Sequence, residues 1–88
     1  MMSSVLTTRP TLPLTLVAPG ETAELIEIRL STNEKQRLQE LGLLPGSSVR
    51  VIKSDPIVGL IVAVCQDGRL ALNRSTAHRL IVSLEGHS

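Results

Sequence analysis

The stretch RLQELGLLPGSSVRVI, residues 37–52, decides the fold that the sequence predicts. Gly42 stands where a helix commonly ends in a residue of positive φ. If Gly42 takes that position, Leu43 contacts Leu38 one turn back, which is the apolar contact of a Schellman motif. The first part of the stretch is therefore predicted to be the end of a helix.

A tight turn and a strand follow this helix end. Pro45-Gly46 suits the two central positions of a type II turn, because proline presets φ and glycine accepts a positive φ. Residues 48–52 (SVRVI) then alternate polar and apolar side chains, as a half-buried strand requires. A second pair, Pro19-Gly20, also precedes a strand-like segment. We expect two similar corners, although the repeated pair is too short to define an internal repeat.

The length, composition and net charge of the chain restrict the class of protein. The chain has 88 residues, which suffice for one small domain, and 42% of them are hydrophobic. A net charge of +1 gives no electrostatic reason to bind nucleic acid or an anionic membrane. The chain has no Phe, Tyr or Trp, so it cannot build the aromatic surfaces that hold proline-rich peptides or single-stranded nucleic acid. We predict no nucleic-acid partner.

Cysteine usage and hydropathy indicate a cytosolic protein. Cys65 is the only cysteine, so nothing in the sequence points to an oxidising compartment. No segment approaches the roughly 20 apolar residues that cross a bilayer. We expect a soluble, cytoplasmic chain.

Short apolar segments separated by turn signals are typical of a small β-barrel. We divide the chain into a flexible N-terminal arm (residues 1–13), one domain (residues 14–84) and a C-terminal tail (residues 85–88). The predicted fold is mainly β with a short helix.

The first long strand changes phase along its length. Ala23 and Leu25 alternate in one phase, whereas Ile26 and Ile28 take the opposite phase. A β-bulge near residues 26–27 would allow both sets to face one core.

A helix is predicted after this strand. Ser31 and Glu34 have the spacing of a capping box, so the helix would run from about residue 32 to residue 41. Leu38 and Leu41 give it a narrow apolar side. We expect this helix to lie on the barrel and not to form its core.

A second hairpin is predicted near the C-terminal half. The Asp-Gly pair at residues 67–68 favours a two-residue type I′ turn. With that turn, Ala63 lies opposite Leu72 on the core face, and Val62 and Val64 point the other way. An apolar face of this kind is either covered by another element or available to a partner.

The quoted stretch resembles a known family. Residues 41–51, LGLLPGSSVRV, look like the core (M/L)-G-(L/M)-x-P-G-x-x-V-x-V of FeoA, the small cytosolic partner of the bacterial ferrous iron transporter FeoB. Residues 19–20, 55–59 and 70–77 continue the resemblance, which covers roughly residues 14–84. It implies a small SH3-like β-barrel with an inserted α-helix.

The resemblance also implies a function. A FeoA-like chain would be a non-catalytic adaptor or regulator of ferrous iron uptake that binds the cytosolic GTPase region of FeoB and reaches the membrane only through that partner. Similar domains occur at the C-terminus of metal-dependent repressors. The alternatives are a metal-sensing regulatory domain and a homo-oligomerising SH3-like barrel unrelated to transport.

Two surfaces are candidates for partner binding. The first is the helix end and turn, which comprises Leu41, Gly42, Leu43, Leu44, Pro45 and Gly46. Of these we expect Leu43 to pack inward on Leu38, whereas Leu44 is equally suited to the core and to an exposed anchor. The second surface is the face that carries Val62 and Val64.

The sequence predicts no catalytic, cofactor or metal site. It contains no recognisable nucleophile–base pair, paired carboxylates or phosphate-binding glycine loop, so we predict that the protein is not an enzyme. The soft metal ligands are Cys65, His78 and His87. Their spacing matches no local metal motif.

Three arginines lie near the second hairpin. They are Arg69, Arg74 and Arg79. Arginines can contact phosphate or the acidic face of a GTPase. A solvated rim is the favoured interpretation of this group.

Overall fold

A computed structural model describes residues 10–64 and 68–84 of the chain. Its elements are β1 (Leu12–Pro13), a 3-10 turn (Leu14–Leu16), β2 (Thr22–Ile28), α1 (Thr32–Glu40), β3 (Ser48–Asp55), β4 (Gly59–Val64), β5 (Gly68–Leu72), α2 (Arg74–His78) and β6 (Leu80–Leu84). The strands pair antiparallel in the order β1-β6-β2-β3-β4-β5. The predicted mainly β fold with a short inserted helix is confirmed.

Strand β1 begins within the predicted N-terminal arm. Leu12 and Pro13 pair with Val82 and Ile81 of β6, so these two residues belong to the sheet. The remainder of the predicted arm, residues 1–9, and the predicted tail, residues 85–88, lie outside the described residues.

The predicted bulge in β2 is confirmed. Pairing between β2 and β6 shifts register between Leu25 and Glu27. Because of this shift, Ala23, Leu25 and Ile28 are all buried in the same core, while Ile26 is left 40% exposed. The bulge therefore brings Ile28 to the core face that Ala23 and Leu25 share, whereas the expectation that Ile26 also faces the core is wrong.

Helix α1 begins with the predicted cap. The Glu34 N–H donates to Ser31 Oγ at 3.4 Å, and the Ser31 hydroxyl donates to Glu34 Oε1 at 3.1 Å. These contacts satisfy a backbone donor that the first helical turn would otherwise leave without a partner. Leu38 is the buried residue of the helix, so α1 lies on the barrel as predicted.

The first Pro-Gly pair forms a corner that is bonded to β3. The Glu21 N–H donates to the Ala18 carbonyl at 3.0 Å and closes the turn, in which Gly20 has φ +90°. The Gly20 N–H then donates to the Val51 carbonyl at 2.7 Å, and the Val51 N–H donates to the Glu21 carbonyl at 3.1 Å. The turn is thus continuous with the strand ladder.

The second Pro-Gly pair repeats this arrangement on β2. The Ser47 N–H donates to the Leu44 carbonyl at 2.9 Å. The Gly46 N–H donates to the Leu25 carbonyl at 2.7 Å, and the Leu25 N–H donates to the Ser47 carbonyl at 2.9 Å. Each bond has its counterpart in the first corner, so the expectation of two similar corners is confirmed.

The predicted register of the second hairpin is wrong. Strands β4 and β5 pair Val64 with Gly68 and Val62 with Leu70, because Gly68 belongs to β5 and residues 65–67 connect the strands. An odd shift of register moves every side chain to the other face. Val62 and Val64 are therefore buried, at 0% and 3% exposure, and not on an outer face.

Aliphatic side chains from the strands and both helices share one core. Its buried members are Leu14, Val17, Ala23, Leu25, Ile28, Leu38, Leu43, Val49, Val51, Leu60, Val62, Val64, Leu72, Ala77, Leu80 and Val82. Removing their apolar surface from water is the main stabilising contribution to the fold.

One glycine allows the tip of β4 to pass close to the end of β5. Gly59 has φ +134°, a region that other residues rarely adopt. A Cβ at this position would overlap the Leu72 carbonyl oxygen and lie 2.9 Å from Asn73 Cα. Both obstacles are backbone atoms, so they cannot move aside without disturbing β5.

Gly59→Ala is expected to lower the free energy of unfolding by about 3 kcal/mol or more, because it combines backbone strain with a clash against backbone. Gly20→Ala is the matched control, since its Cβ would meet nothing within 4 Å and left-handed strain alone costs about 1–2 kcal/mol. Urea denaturation of the variants measures both values. Equal losses would contradict the close approach at Gly59.

Candidate protein-binding site

The helix end is a Schellman motif, as predicted. The Leu43 N–H donates to the Leu38 carbonyl at 2.9 Å, and the Gly42 N–H donates to the Gln39 carbonyl at 3.1 Å. Gly42 has φ +106°, the conformation that lets the chain reverse at this point. The last carbonyls of α1 are therefore satisfied within the chain.

The turn that follows is held twice. Besides the backbone bond from Ser47 to Leu44, the Ser47 hydroxyl donates to the Leu44 carbonyl at 2.6 Å, and Ser47 Oγ accepts from the Leu44 N–H at 3.3 Å. Gly46, with φ +94°, occupies the position where a type II turn requires a positive φ. The predicted type II turn is confirmed.

The three leucines of this segment point in different directions. Leu43 is fully buried, as expected, while Leu41 is 51% exposed and Leu44 is 47% exposed. The structure thus places Leu44 at the surface, where the sequence left its position open. We call Leu41, Leu44, Pro45 and Gly46 the helix-end surface. Its use as a partner-binding site stays a prediction.

The second predicted surface is not present where the sequence placed it. Val62 and Val64 pack in the core against β3, opposite Val51 and Val49. The outward face of the same hairpin carries Ile61, which is 38% exposed, so a smaller apolar surface replaces the predicted one.

Sequence reasoning missed an apolar tip between β3 and β4. Ile57 is 87% exposed and Val58 is 76% exposed. Asp55 holds this tip, because its Oδ1 accepts from the Ile57 N–H at 2.8 Å and from the Val58 N–H at 2.9 Å. Two β-branched residues between Pro56 and Gly59 were the signal, since turns more commonly carry polar residues.

A shallow groove of about 350 Å³ runs beside this tip. Its apolar wall includes Val58, Leu60 and Ile61, with Ala71 and Leu72 on the neighbouring strand. The tip and groove together form a second exposed apolar surface.

Metal-binding residues do not gather in the described part of the chain. No three His, Cys, Asp or Glu side chains come together within residues 10–64 and 68–84. His78 is exposed, and its Nδ1 lies 3.4 Å from Thr15 Oγ1. Cys65 and His87 lie outside the described residues, so the predicted absence of a metal site stays a prediction.

No described helix has the length and hydropathy that a membrane-spanning helix needs.

Comparison with known proteins identifies the family. A sequence model of the FeoA domain matches residues 12–84. An iron uptake regulatory protein (FeoA) of known structure has a TM-score of 0.78 and 29% identity over 86% of this chain and 100% of that chain. FeoA from Chlorobium tepidum has a TM-score of 0.75 and 26% identity over 86% of this chain and 76% of that chain. No curated protein matches the chain significantly.

The fold also occurs in a different class of protein. A manganese-dependent transcriptional repressor has a TM-score of 0.79 at 20% identity, over 91% of this chain and 45% of that chain. At that identity the similarity shows the fold alone. The FeoA structures are SH3-like small β domains, so the predicted SH3-like architecture is confirmed.

Asp55 gives the apolar tip a testable pH dependence. The N–H groups of Val58 and Ile57 stabilise the carboxylate and hold the pKa of Asp55 below its ordinary value of 3.8. A lowered folded-state pKa contributes stability that is present above pH 3.8 and is lost as the pH falls through the folded value. As the pH falls through this range, the melting temperature of Asp55→Asn should therefore decrease less than that of the unchanged protein.

Differential scanning fluorimetry from about pH 6 to about pH 2 measures this difference. Asn keeps a side-chain oxygen for the two N–H donors, so it isolates the effect of charge. If the melting temperatures of the two proteins fall in parallel with pH, the stabilising role of the Asp55 carboxylate is contradicted.

Proposed function

This chain belongs to the FeoA domain family, and we propose that it is a non-catalytic adaptor that binds the cytosolic region of a FeoB-type transporter. Membership of the family supports a role in ferrous iron uptake, and the family is one of small non-catalytic domains. In this proposal the chain works in the cytoplasm and reaches the membrane through FeoB. Its effect is regulatory, because the iron passes through the partner.

The observation that carries the proposal is the helix-end surface. Leu41 and Leu44 expose about half of their side chains on either side of the fully buried Leu43. Exposed aliphatic side chains of this kind are suitable anchors for a pocket on another protein, where binding removes them from water. The buried leucine between them connects this surface directly to the core.

The backbone beneath these anchors is already ordered. The Schellman bonds hold Gly42 and Leu43, and the turn bonds hold Leu44 against Ser47. A surface that is ordered before binding loses less conformational entropy when the partner docks. The helix-end surface therefore suits protein recognition better than an equally apolar loose loop would.

Leu44→Asp tests the proposal in a titration of the ¹⁵N-labelled protein with the isolated cytosolic region of its cognate FeoB, with and without a GTP analogue. Shifts are expected at residues 41–46 for the unchanged protein. The substitution should weaken binding by about 30-fold, the effect of losing a central anchor. Because Leu44 is exposed, the variant should keep the melting temperature of the unchanged protein.

Leu16→Asp is the matched control. Leu16 is 67% exposed and precedes the other Pro-Gly corner, so the substitution makes the same chemical change away from the helix-end surface. Equal weakening by the two variants would contradict a specific role for Leu44. If the FeoB region binds the unchanged protein in no nucleotide state, the adaptor proposal itself is contradicted.

A further inference from the structure

A polar pocket of about 520 Å³ lies between the start of α1 and the short helix α2, and proteins hold small ligands in pockets of this size. Its lining includes Arg29 and Ser31 before α1, and Ser75, Thr76 and Arg79 in and after α2. None of these residues belongs to the helix-end surface. The pocket is therefore separate from the proposed adaptor site.

The sheet brings the two arginines of this pocket together. Ile28 of β2 lies opposite Leu80 of β6, and in the next position the Arg29 N–H donates to the Arg79 carbonyl at 2.9 Å. Residues opposite each other in an antiparallel pair direct their side chains to the same face. Arg79, which the sequence grouped with two other arginines, is thus placed beside Arg29 by the fold.

The charge of the paired arginines is only partly balanced, and like charges opposite each other destabilise a strand pair. Arg29 Nε lies 3.3 Å from Glu27 Oε1, but these two side chains are 61% and 55% exposed, and an ion pair at that exposure contributes little. The lining contains one carboxylate, that of Glu34, whose Oε1 accepts from the Ser31 hydroxyl at 3.1 Å. Two guanidinium groups and one carboxylate leave the lining with a net positive charge.

The groups in the lining match phosphate. A guanidinium binds a phosphate group through two parallel N–H···O bonds, which are stronger than hydrogen bonds between neutral groups. The hydroxyls of Ser75 and Thr76 add donors beside the arginines. Leu30 is the aliphatic residue of the lining, and the chain has no Phe, Tyr or Trp. The pocket therefore has no aromatic ring to stack on a nucleobase, and it favours the phosphate end of a ligand.

We propose that Arg29 and Arg79 bind a small ligand that carries a diphosphate group. Each guanidinium binds one of the two phosphates, and the hydroxyls of Ser75 and Thr76 donate to the remaining oxygens. Binding relieves the repulsion between the two arginines, which the fold alone leaves in place. Inorganic pyrophosphate and a nucleoside diphosphate are the two sources of this group. The proposal goes beyond the adaptor role and does not depend on FeoB.

Titration of the ¹⁵N-labelled full chain with inorganic pyrophosphate is the first test. Saturable shifts are expected at the amides of residues 29–34 and 75–79. Sulfate at the same ionic strength should bind more weakly, because it offers one anionic group to two arginines. ADP and adenosine distinguish the sources of the diphosphate. Equal binding of ADP and pyrophosphate assigns the diphosphate group alone, tighter binding of ADP assigns a nucleoside diphosphate, and adenosine should not bind.

Arg79→Gln and Arg69→Gln form a matched pair of variants. Both arginines are exposed and both substitutions remove one positive charge, but only Arg79 lines the pocket. Arg79→Gln should weaken binding of pyrophosphate by about five-fold or more, since it removes a charged hydrogen-bond donor. Arg69→Gln should change it by less than about two-fold at physiological salt. Circular dichroism confirms that both variants stay folded.

Glu34→Gln tests the charge of the pocket in the opposite direction. Glutamine also occupies this position of a capping box, so the start of α1 is kept while the one carboxylate of the lining is removed. Binding of pyrophosphate should become about three-fold tighter, a gain that a loss of structure would not produce. Glu40→Gln is the control, because Glu40 is exposed on the same helix and does not line the pocket.

Each outcome decides the proposal. Shifts confined to the pocket, selective weakening by Arg79→Gln and tighter binding by Glu34→Gln support a diphosphate site. Absence of these shifts, sulfate binding as tight as that of pyrophosphate, binding of adenosine, or equal effects of a variant and its control overturns it. These results are independent of FeoB, so they leave the adaptor proposal to its own titration.

Discussion

Reciprocal hydrogen bonds between two Pro-Gly turns and the strands β2 and β3 organise this domain. The turn at Gly20 is bonded to Val51 of β3, and the turn at Gly46 is bonded to Leu25 of β2. Each turn therefore begins one strand and is bonded to the other, so neither strand can move without disturbing both corners. The β2 bulge follows directly after Leu25, and β2 stays paired with β6 on both sides of it.

The position of the helix-end surface follows from this constraint. Gly42 ends α1, and Leu43 enters the core at once. The next residue, Leu44, starts the turn that is bonded to β2, so its side chain is directed outward. Three leucines in four positions thus divide into one core residue and two surface residues because of backbone geometry and not because of hydrophobicity.

Local signals predicted local structure well. The helix cap at Ser31, the helix stop at Gly42, the turn at Gly46 and the bulge beside Leu25 each follow from the conformational preference of a few neighbouring residues. The β4–β5 register was not predicted correctly, because the Asp-Gly pair is a strong turn signal that placed the turn wrongly. A shift by an odd number of residues then reverses both faces. Because β4 carries apolar residues on both faces, it lacks the alternation that would have shown the error. The wrong register is the reason why Val62 and Val64 were predicted to be exposed.

The two corners are related by an approximate two-fold axis. Strands β2 and β3 pair with Ala23 directly opposite Val49, and the axis passes between them. The same rotation relates the register shift of β2 to the one in β3 between Val51 and Lys53. The backbone has therefore built one turn twice, and a protein that contacted only the turn residues and their bonds to the neighbouring strand would not distinguish the two by main-chain shape. Discrimination must come from the side chains placed on this shared frame, of which Leu44 at one corner and Ala18 at the other are the clearest difference.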